Sequence, residues 1–326
     1  MPYFERAFEL GRTIPNNEAN IAPSLNNLAE LMRRNGKYDK AIPLYQESLE
    51  MTKKVFGEDH PHVATTLNNL ATLLRDTGDY GGAEPVYRES LAIFKKAFGA
   101  DHPNVSTAMS NLASLLEQKG DYEGAESIYL ESLALRKKMF GDNHPTVANS
   151  LNNLGQLLLQ KKDFDKAETY LRESVDILLK AYGPNHPDLS LSLNNLAAVL
   201  HGKHDLDGAE KYYMQSLAIK RSVFGKDHPS IATLLNNLAI LMCEKGDLDL
   251  AEKVYRESLS ILTKSFGLDH QLVGITLHNL ASLLENRGKV SEAVSFGRQA
   301  YGICLKMLGP EHPRTVEYQY WETHAA

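Results

Sequence analysis

The sequence predicts an all-α solenoid of antiparallel helix pairs, and three observations carry that prediction. The first is a period. His60-Pro61, His102-Pro103, His144-Pro145, His186-Pro187, His228-Pro229 and His312-Pro313 fall at intervals of 42 residues, with His270-Gln271 as the one broken dipeptide. The second is register. Asn27, Asn69, Asn111, Asn153, Asn195, Asn237 and Asn279 each precede a Leu, and a Gly recurs from Gly57 to Gly309, without insertion or deletion. The third is apolar spacing. Val63, Leu67, Leu70, Ala71 and Leu74 repeat at three and four, the period of a helix. A strict repeat of this length marks stacked units that pack only on their neighbours.

The second unit shows how each element arises. Pro61 suits the first turn of a helix, because its φ is fixed and its missing N–H would be unpaired there. His60, preceding a proline, is pushed out of the α region and lies just outside. Asp59 places negative charge near the positive helix end. This first helix, A, is expected over about residues 61–77. Gly78 ends it in a left-handed conformation, and Asp79 is a fitting N-cap for the next. Helix B is expected over about residues 80–98, with Ala83, Val86, Tyr87, Ser90, Leu91, Phe94 and Phe98 as its apolar stripe. Ala83 and Ser90 are small where Leu67 and Tyr87 are large, which lets the two helices approach. Pro43 and Pro85 each remove one backbone hydrogen bond early in helix B. Lys162 and His204 replace the turn Gly in copies four and five. Copy seven carries Gly297 in the Tyr87 column and Gly274 in helix A. These units are expected to be the less stable ones.

The order Leu67, Leu70, Ala71, Leu74, Gly78, Tyr80, Ala83, Tyr87, Ser90 resembles the tetratricopeptide repeat. The usual repeat has about 34 residues; the excess here lies in a longer helix B and the FGxDHP loop. In this longer form the unit is similar to the repeats of kinesin light chains. The resemblance runs from about residue 19 to 312 and implies a right-handed superhelix whose concave face, lined by the A helices, binds peptides. Kinesin light chains carry a long heptad region ahead of their repeats, whereas these repeats begin at once, so a motor-adaptor role is not implied.

The resemblance puts groove residues on helix A, on the face away from helix B. That column is the first Asn of each pair: Asn26, Asn68, Ser110, Asn152, Asn194, Asn236 and, in copy seven, His278. An Asn side chain both donates and accepts, so it can grip a peptide N–H and C=O together. Helix pairs about 10 Å apart match about three residues of extended chain. Two readings stand: a ladder of Asn holding a peptide, or Asn paired with adjacent helices or water. The second Asn column is assigned to structure, as a side-chain bond to a neighbouring loop or helix. Specificity is expected from variable positions: Glu30, Arg33 and Arg34 in copy one, Arg75 and Asp76 in copy two, then Glu117, Gln156, Gln160, His201, Glu244 and Glu285. The N-terminal part is the more basic, which suits an acidic peptide because Arg can fork two bonds to one carboxylate. A solvated face of mixed charge is the other reading.

Composition bounds the remaining classes. The 326 residues carry a formal net charge of −6. That weakens an RNA reader built from helical repeats, since nucleic acid is usually held by a basic face. No apolar run approaches the ~20 residues of a membrane span, and Met1 to Leu10 has no apolar signal region. Two cysteines, Cys243 and Cys304, fit a reducing compartment, and a cytoplasmic location is expected. Repeated His about 10 Å apart cannot share one zinc ion, whose ligands sit at ~2.1 Å; their expected role is capping or loop packing. No Walker loop, GxGxxG, GxSxG, HExxH or CxxC is present, so no cofactor, metal or catalysis is expected.

Three parts are expected: residues 1–18 as an N-terminal helix or cap, with Phe4, Ala7 and Phe8 on one side; 19–312 as seven repeats; and 313–326 as a capping helix or truncated repeat in which Tyr318, Tyr320 and Trp321 replace the NNL pattern. The ends are either caps on a monomer or complementary halves that join molecules head to tail. The leading expectation is a non-enzymatic scaffold binding a protein or peptide in the groove; the alternative is a spacer or sensor array that self-associates through its ends.

Overall fold

The computed structural model describes residues 18–323. These form helices and turns alone, so the predicted all-α class is observed. In chain order the helices are α1 (Glu18–Arg34), α2 (Tyr38–Phe56), α3 (Pro61–Asp76), α4 (Tyr80–Phe98), α5 (Pro103–Gln118), α6 (Tyr122–Phe140), α7 (Pro145–Gln160) and α8 (Phe164–Tyr182). They continue as α9 (Pro187–Gly202), α10 (Leu206–Phe224), α11 (Pro229–Glu244), α12 (Leu248–Phe266), α13 (Gln271–Asn286), α14 (Val290–Leu308), α15 (Pro313–Tyr318) and α16 (Tyr320–Thr323). Within the units, A helices pack on the B helices after them: α1 on α2, α3 on α4, α5 on α6, α9 on α10, α11 on α12 and α13 on α14. The chain groups into two compact units, Met1–Leu157 and Leu158–Ala326, with the boundary inside α7. The helix expected near the N-terminus lies outside the described residues.

Both turns of the repeat are built by side chains. Each repeated His is an N-cap: from His60 to His312, Nδ1 accepts the backbone N–H two residues on, at 3.1–3.2 Å. From His60 to His270 the same ring stacks on the aromatic residue four before it, as in Phe98–His102 at 4.1 Å and Tyr182–His186 at 4.0 Å; Leu308 holds that position before His312. His270 caps α13 although Gln271 replaces the proline. In the tighter turn, Asp79 accepts from Gly82 N at 2.9 Å, the predicted cap. Gly78 there has φ +85°. Lys162 and His204, in its column, keep positive φ values of 60° and 63°. The turn is therefore the same, and the two copies hold backbone strain that a Gly would not.

Packing within the Met1–Leu157 unit buries Val63, Leu67 and Ala71 as the stripe predicts, while Leu70 and Leu74 are half-buried. Leu73 lies off that stripe and is fully buried. It packs with Met32 and Tyr45 of the preceding pair. Helix A thus buries two faces, one against its own B helix and one against its neighbour, as stacked units require. The buried Ser of each B helix does more than save space. Ser48, Ser90 and Ser132 donate to the carbonyls of Ala22, Ala64 and Ser106 at 2.7–2.9 Å, tying B to A.

In the second unit one apolar core runs from Leu158 to Trp321. At its C-terminal end the expected weakness of copy seven is offset. A Cβ on Gly297 would lie 2.2 Å from the Trp321 indole, so that ring occupies the space which the Tyr column fills elsewhere. Trp321 is 2% exposed. Gly274 sits tight against Ile303 for the same reason of close packing, with a Cβ position 3.2 Å from its methyl.

Candidate functional site

The A helices of the first unit present one exposed residue per repeat at the position three before the first Asn: Pro23, Thr65, Thr107 and Asn149. The column seven residues further on, Glu30, Thr72, Ser114 and Gln156, is half-buried or exposed. Between α3 and α5 this face dips into a notch of about 140 Å³. Thr65, Asn68, Asn104, Thr107 and Ala108 line it, over the nearly buried ring of Phe94. In the second unit the equivalent residues are Leu191, Thr233 and Ile275, then Ala198, Ile240 and Ser282. Leu191 is 50% exposed and Ile240 38%, so this stretch of the face is the more apolar. Glu30 and Gln156 of this face are among the variable positions read from the sequence; the column Pro23, Thr65, Thr107 and Asn149 was missed, its signal being polar or small residues in a register between core positions.

The Asn columns bond to each other. Asn69 Nδ2 donates to Asn26 Oδ1 at 3.1 Å, and Asn111 Nδ2 to Asn68 Oδ1 at 3.0 Å. Asn237 donates to Asn194 at 3.5 Å. In these three pairs the second Asn of one repeat reaches the first Asn of the repeat before, a rung between successive A helices. This is the bond to a neighbouring helix expected of the second column. It also takes one acceptor of the first. Asn26, Asn68 and Asn194 remain half-buried; the Asn194 amide also donates to Asn195 Oδ1 at 3.2 Å.

Three residues expected in the groove are instead inside the protein. Ser110 donates to Ser106 O and bonds Ser132 Oγ. Asn152 is 4% exposed. Asn236 is 7% exposed and donates to Thr276 Oγ1 at 2.7 Å, leaving its Oδ1 buried with no hydrogen-bond partner. The physical reason is that this column borders the core stripe, so side chains of adjacent helices, Ser132 over Ser110 and Thr276 over Asn236, cover it. Gln156 is exposed, as expected of a groove residue.

The basic end is already neutralised from within. Arg33 Nε donates to Glu30 at 2.8 Å, Arg34 Nε to the other Glu30 oxygen at 2.7 Å, and Tyr45 Oη donates at 3.0 Å. The Arg33 bond, then those of Arg34 and Tyr45, outweigh partial burial and hold the Glu30 carboxyl down to about 2. Arg33 also binds Asp76 of the next repeat, and Arg75 pairs with Asp76 at 3.1 Å. Among the variable positions, Glu117 is buried and accepts from Tyr129 Oη, His201 bonds Glu244 at 2.9 Å, and Glu285 accepts from Tyr320 Oη at 2.7 Å.

Comparisons with known proteins bear on this arrangement. The family profile described as tetratricopeptide repeat matches residues 20–96, 64–138, 105–180, 146–222, 188–264 and 230–306. No curated protein matches the sequence. Among solved structures, BtubC (BKLC) from P. vanneervenii is 26% identical with a TM-score of 0.60, over 69% of this chain and 91% of its own. Aspartyl phosphate phosphatase F from Bacillus subtilis is 12% identical with a TM-score of 0.69, over 92% of this chain and 75% of its own. The apo form of RapI is 16% identical with a TM-score of 0.66, over 88% and 98%. The last two are similar in fold alone.

Proposed function

Because the chain belongs to the tetratricopeptide repeat family, we propose that it is a non-enzymatic interaction scaffold that binds an extended peptide or partner segment along its A helices. The observation that carries this reading is the exposed column Pro23, Thr65, Thr107 and Asn149, one residue per repeat beside the half-exposed Asn26 and Asn68. An extended chain advances about 3.3 Å per residue, so about three residues fit each step between helices packed 8–10 Å apart. Thr hydroxyls and the free amide N–H groups then meet its backbone, and the notch beside Thr107 takes one side chain.

Of the ten groove residues read from the sequence, this assigns peptide contact to Asn26, Asn68 and Gln156 of the first unit; Asn194, in the second, gives an amide N–H to Asn195. Ser110, Asn152 and Asn236 shape the face from beneath. Arg33, Arg34 and Arg75 would meet an acidic partner only by exchanging Glu30 or Asp76 for its carboxylate. Both cysteines are free thiols, which fits the reducing compartment expected from the sequence. No helix among the described residues is long and apolar enough to cross a membrane.

The test is partner recovery from a cell lysate with the full chain and with Thr107→Arg, which puts bulk and charge into the notch. Loss of specific partners from the folded variant supports the reading. An unchanged partner set bound with unchanged affinity overturns it.

A further inference from the structure

The outer edges of the B helices carry a second recurring pattern. Where α2 meets α4, Lys53 pairs with Glu89 and Lys96 with Asp59. Where α4 meets α6, Lys95 pairs with Glu131 and Lys138 with Asp101. Where α10 meets α12, Arg221 pairs with Glu257 and Lys264 with Asp227. Two ion pairs therefore bridge each of these junctions. Between α8 and α10 all four positions are different at once: Leu179 and Gln215 stand for the first pair, Asn185 and Ser222 for the second.

That junction opens a cleft of about 480 Å³, against about 250 Å³ for its counterpart between α4 and α6. Its apolar walls are Val175, Leu179, Tyr212 and Ile219, with Leu189 and Leu193 of α9 beneath. Leu179 is 45% exposed. Exposed ion pairs contribute little stability, so their joint loss is cheap in folding terms; exposing Leu in a cleft that could be closed is not. One charge lines the cleft, Asp176, where the other B helices of this unit carry Ala218, Ser260 and Gly302. It has no ion-pair partner among the described residues. Arg172, one turn away, is already bound to Glu168 at 2.8 Å and to Tyr212 Oη at 3.2 Å.

We propose that the cleft between α8 and α10 is a docking site, separate from the A-helix face, for a peptide segment that inserts an apolar side chain and sets a Lys or Arg against Asp176. The uncharged walls select the apolar group, and the lone carboxylate selects the cation and fixes the segment's direction.

The test is a random peptide library displayed on phage, selected on the full chain. A variant carrying Leu179→Lys, Gln215→Glu, Asn185→Asp and Ser222→Lys restores the two ion pairs that other junctions carry, so it is expected to fold and to close the cleft. Circular dichroism and a thermal melt check its fold, and Asp176→Asn serves as an independent single change. The proposal expects selected peptides that join an apolar residue to a nearby Lys or Arg. They should lose affinity roughly tenfold or more on the ion-pair variant and roughly threefold on Asp176→Asn. Acidic or charge-indifferent winners, no winners, equal binding to the ion-pair variant, or self-association of the wild type that this variant abolishes would each overturn it.

Discussion

Trp321 donates its indole N–H to His278 Nδ1 at 3.1 Å, across the same 43 residues that separate Asn69 from Asn26 and Asn111 from Asn68. Helix α16 therefore repeats the spacing of the amide pairs with an aromatic one, although no amide pair forms at Asn236 just before it. His278 also stacks on Tyr318, ring centroids 3.8 Å apart. Two departures of copy seven, His278 and Gly297, and the aromatic NNL replacement in the segment after it are one structural event.

Trp321→Ala should remove a buried ring and its bond to His278 together, at a cost of about 3–5 kcal/mol. Because each unit packs only on its neighbours, the loss should be local. Hydrogen exchange should rise in α13 to α16 and not in α1 to α6. Gly297→Tyr alone should clash with the indole and destabilise. Combined with Trp321→Ala it should recover part of the loss, since Tyr then fills the site as it does in other repeats.

The His278–Trp321 contact should depend on pH. Burial pushes the His278 imidazole below its ordinary value, while Glu317 at 3.6 Å pulls the other way and is the weaker influence. The unfolded segment therefore takes up a proton first. Its contribution is full above the ordinary histidine value of about 6.5 and is lost as pH falls through the lower folded value. A protonated Nδ1 can no longer accept from Trp321. Fluorescence of Trp321, the one tryptophan of the chain, should report undocking on acidification with a midpoint below about 6.5. His278→Asn should flatten that transition.

A double-mutant cycle on Asn26 and Asn69, each changed to Ala, should give a coupling of about 1 kcal/mol in urea unfolding. A coupling near zero would mean the Asn69–Asn26 bond is not formed in solution.

Lys162→Gly should stabilise the chain by about 1 kcal/mol, because it relieves a left-handed backbone while keeping the turn. Its thermal melt should move up. An unchanged or lower melting temperature would show that the Lys162 side chain makes a compensating contact.

Helix starts and stops were legible because local chemistry dictates them. Pro61 allows one φ, Asp79 caps helix B, and Gly78 takes the left-handed turn, whatever surrounds them. Leu73 and the first Asn column were not, because they depend on the neighbouring pair. A three-and-four spacing finds the stripe toward helix B, yet helix A buries a second face, and the spacing does not say which flanking residue turns toward it. So Asn68 stays half-exposed while Asn236, in the same column, is buried on Thr276. The paired Arg33 was hidden for the same reason: Asp76, its partner, lies in the next repeat. Gly297 read as a defect because Trp321, which fills its place, stands outside the repeat.

Photo-cross-linking tests the A-helix face most directly. A benzophenone amino acid would replace Thr107 on that face or, as a control, the exposed Ala92 on the B-helix side of the same unit. Cross-links to a recovered partner from position 107 and not from 92 are the predicted result. Cross-links from 92 with none from 107 would contradict the assignment of the A helices as the binding surface.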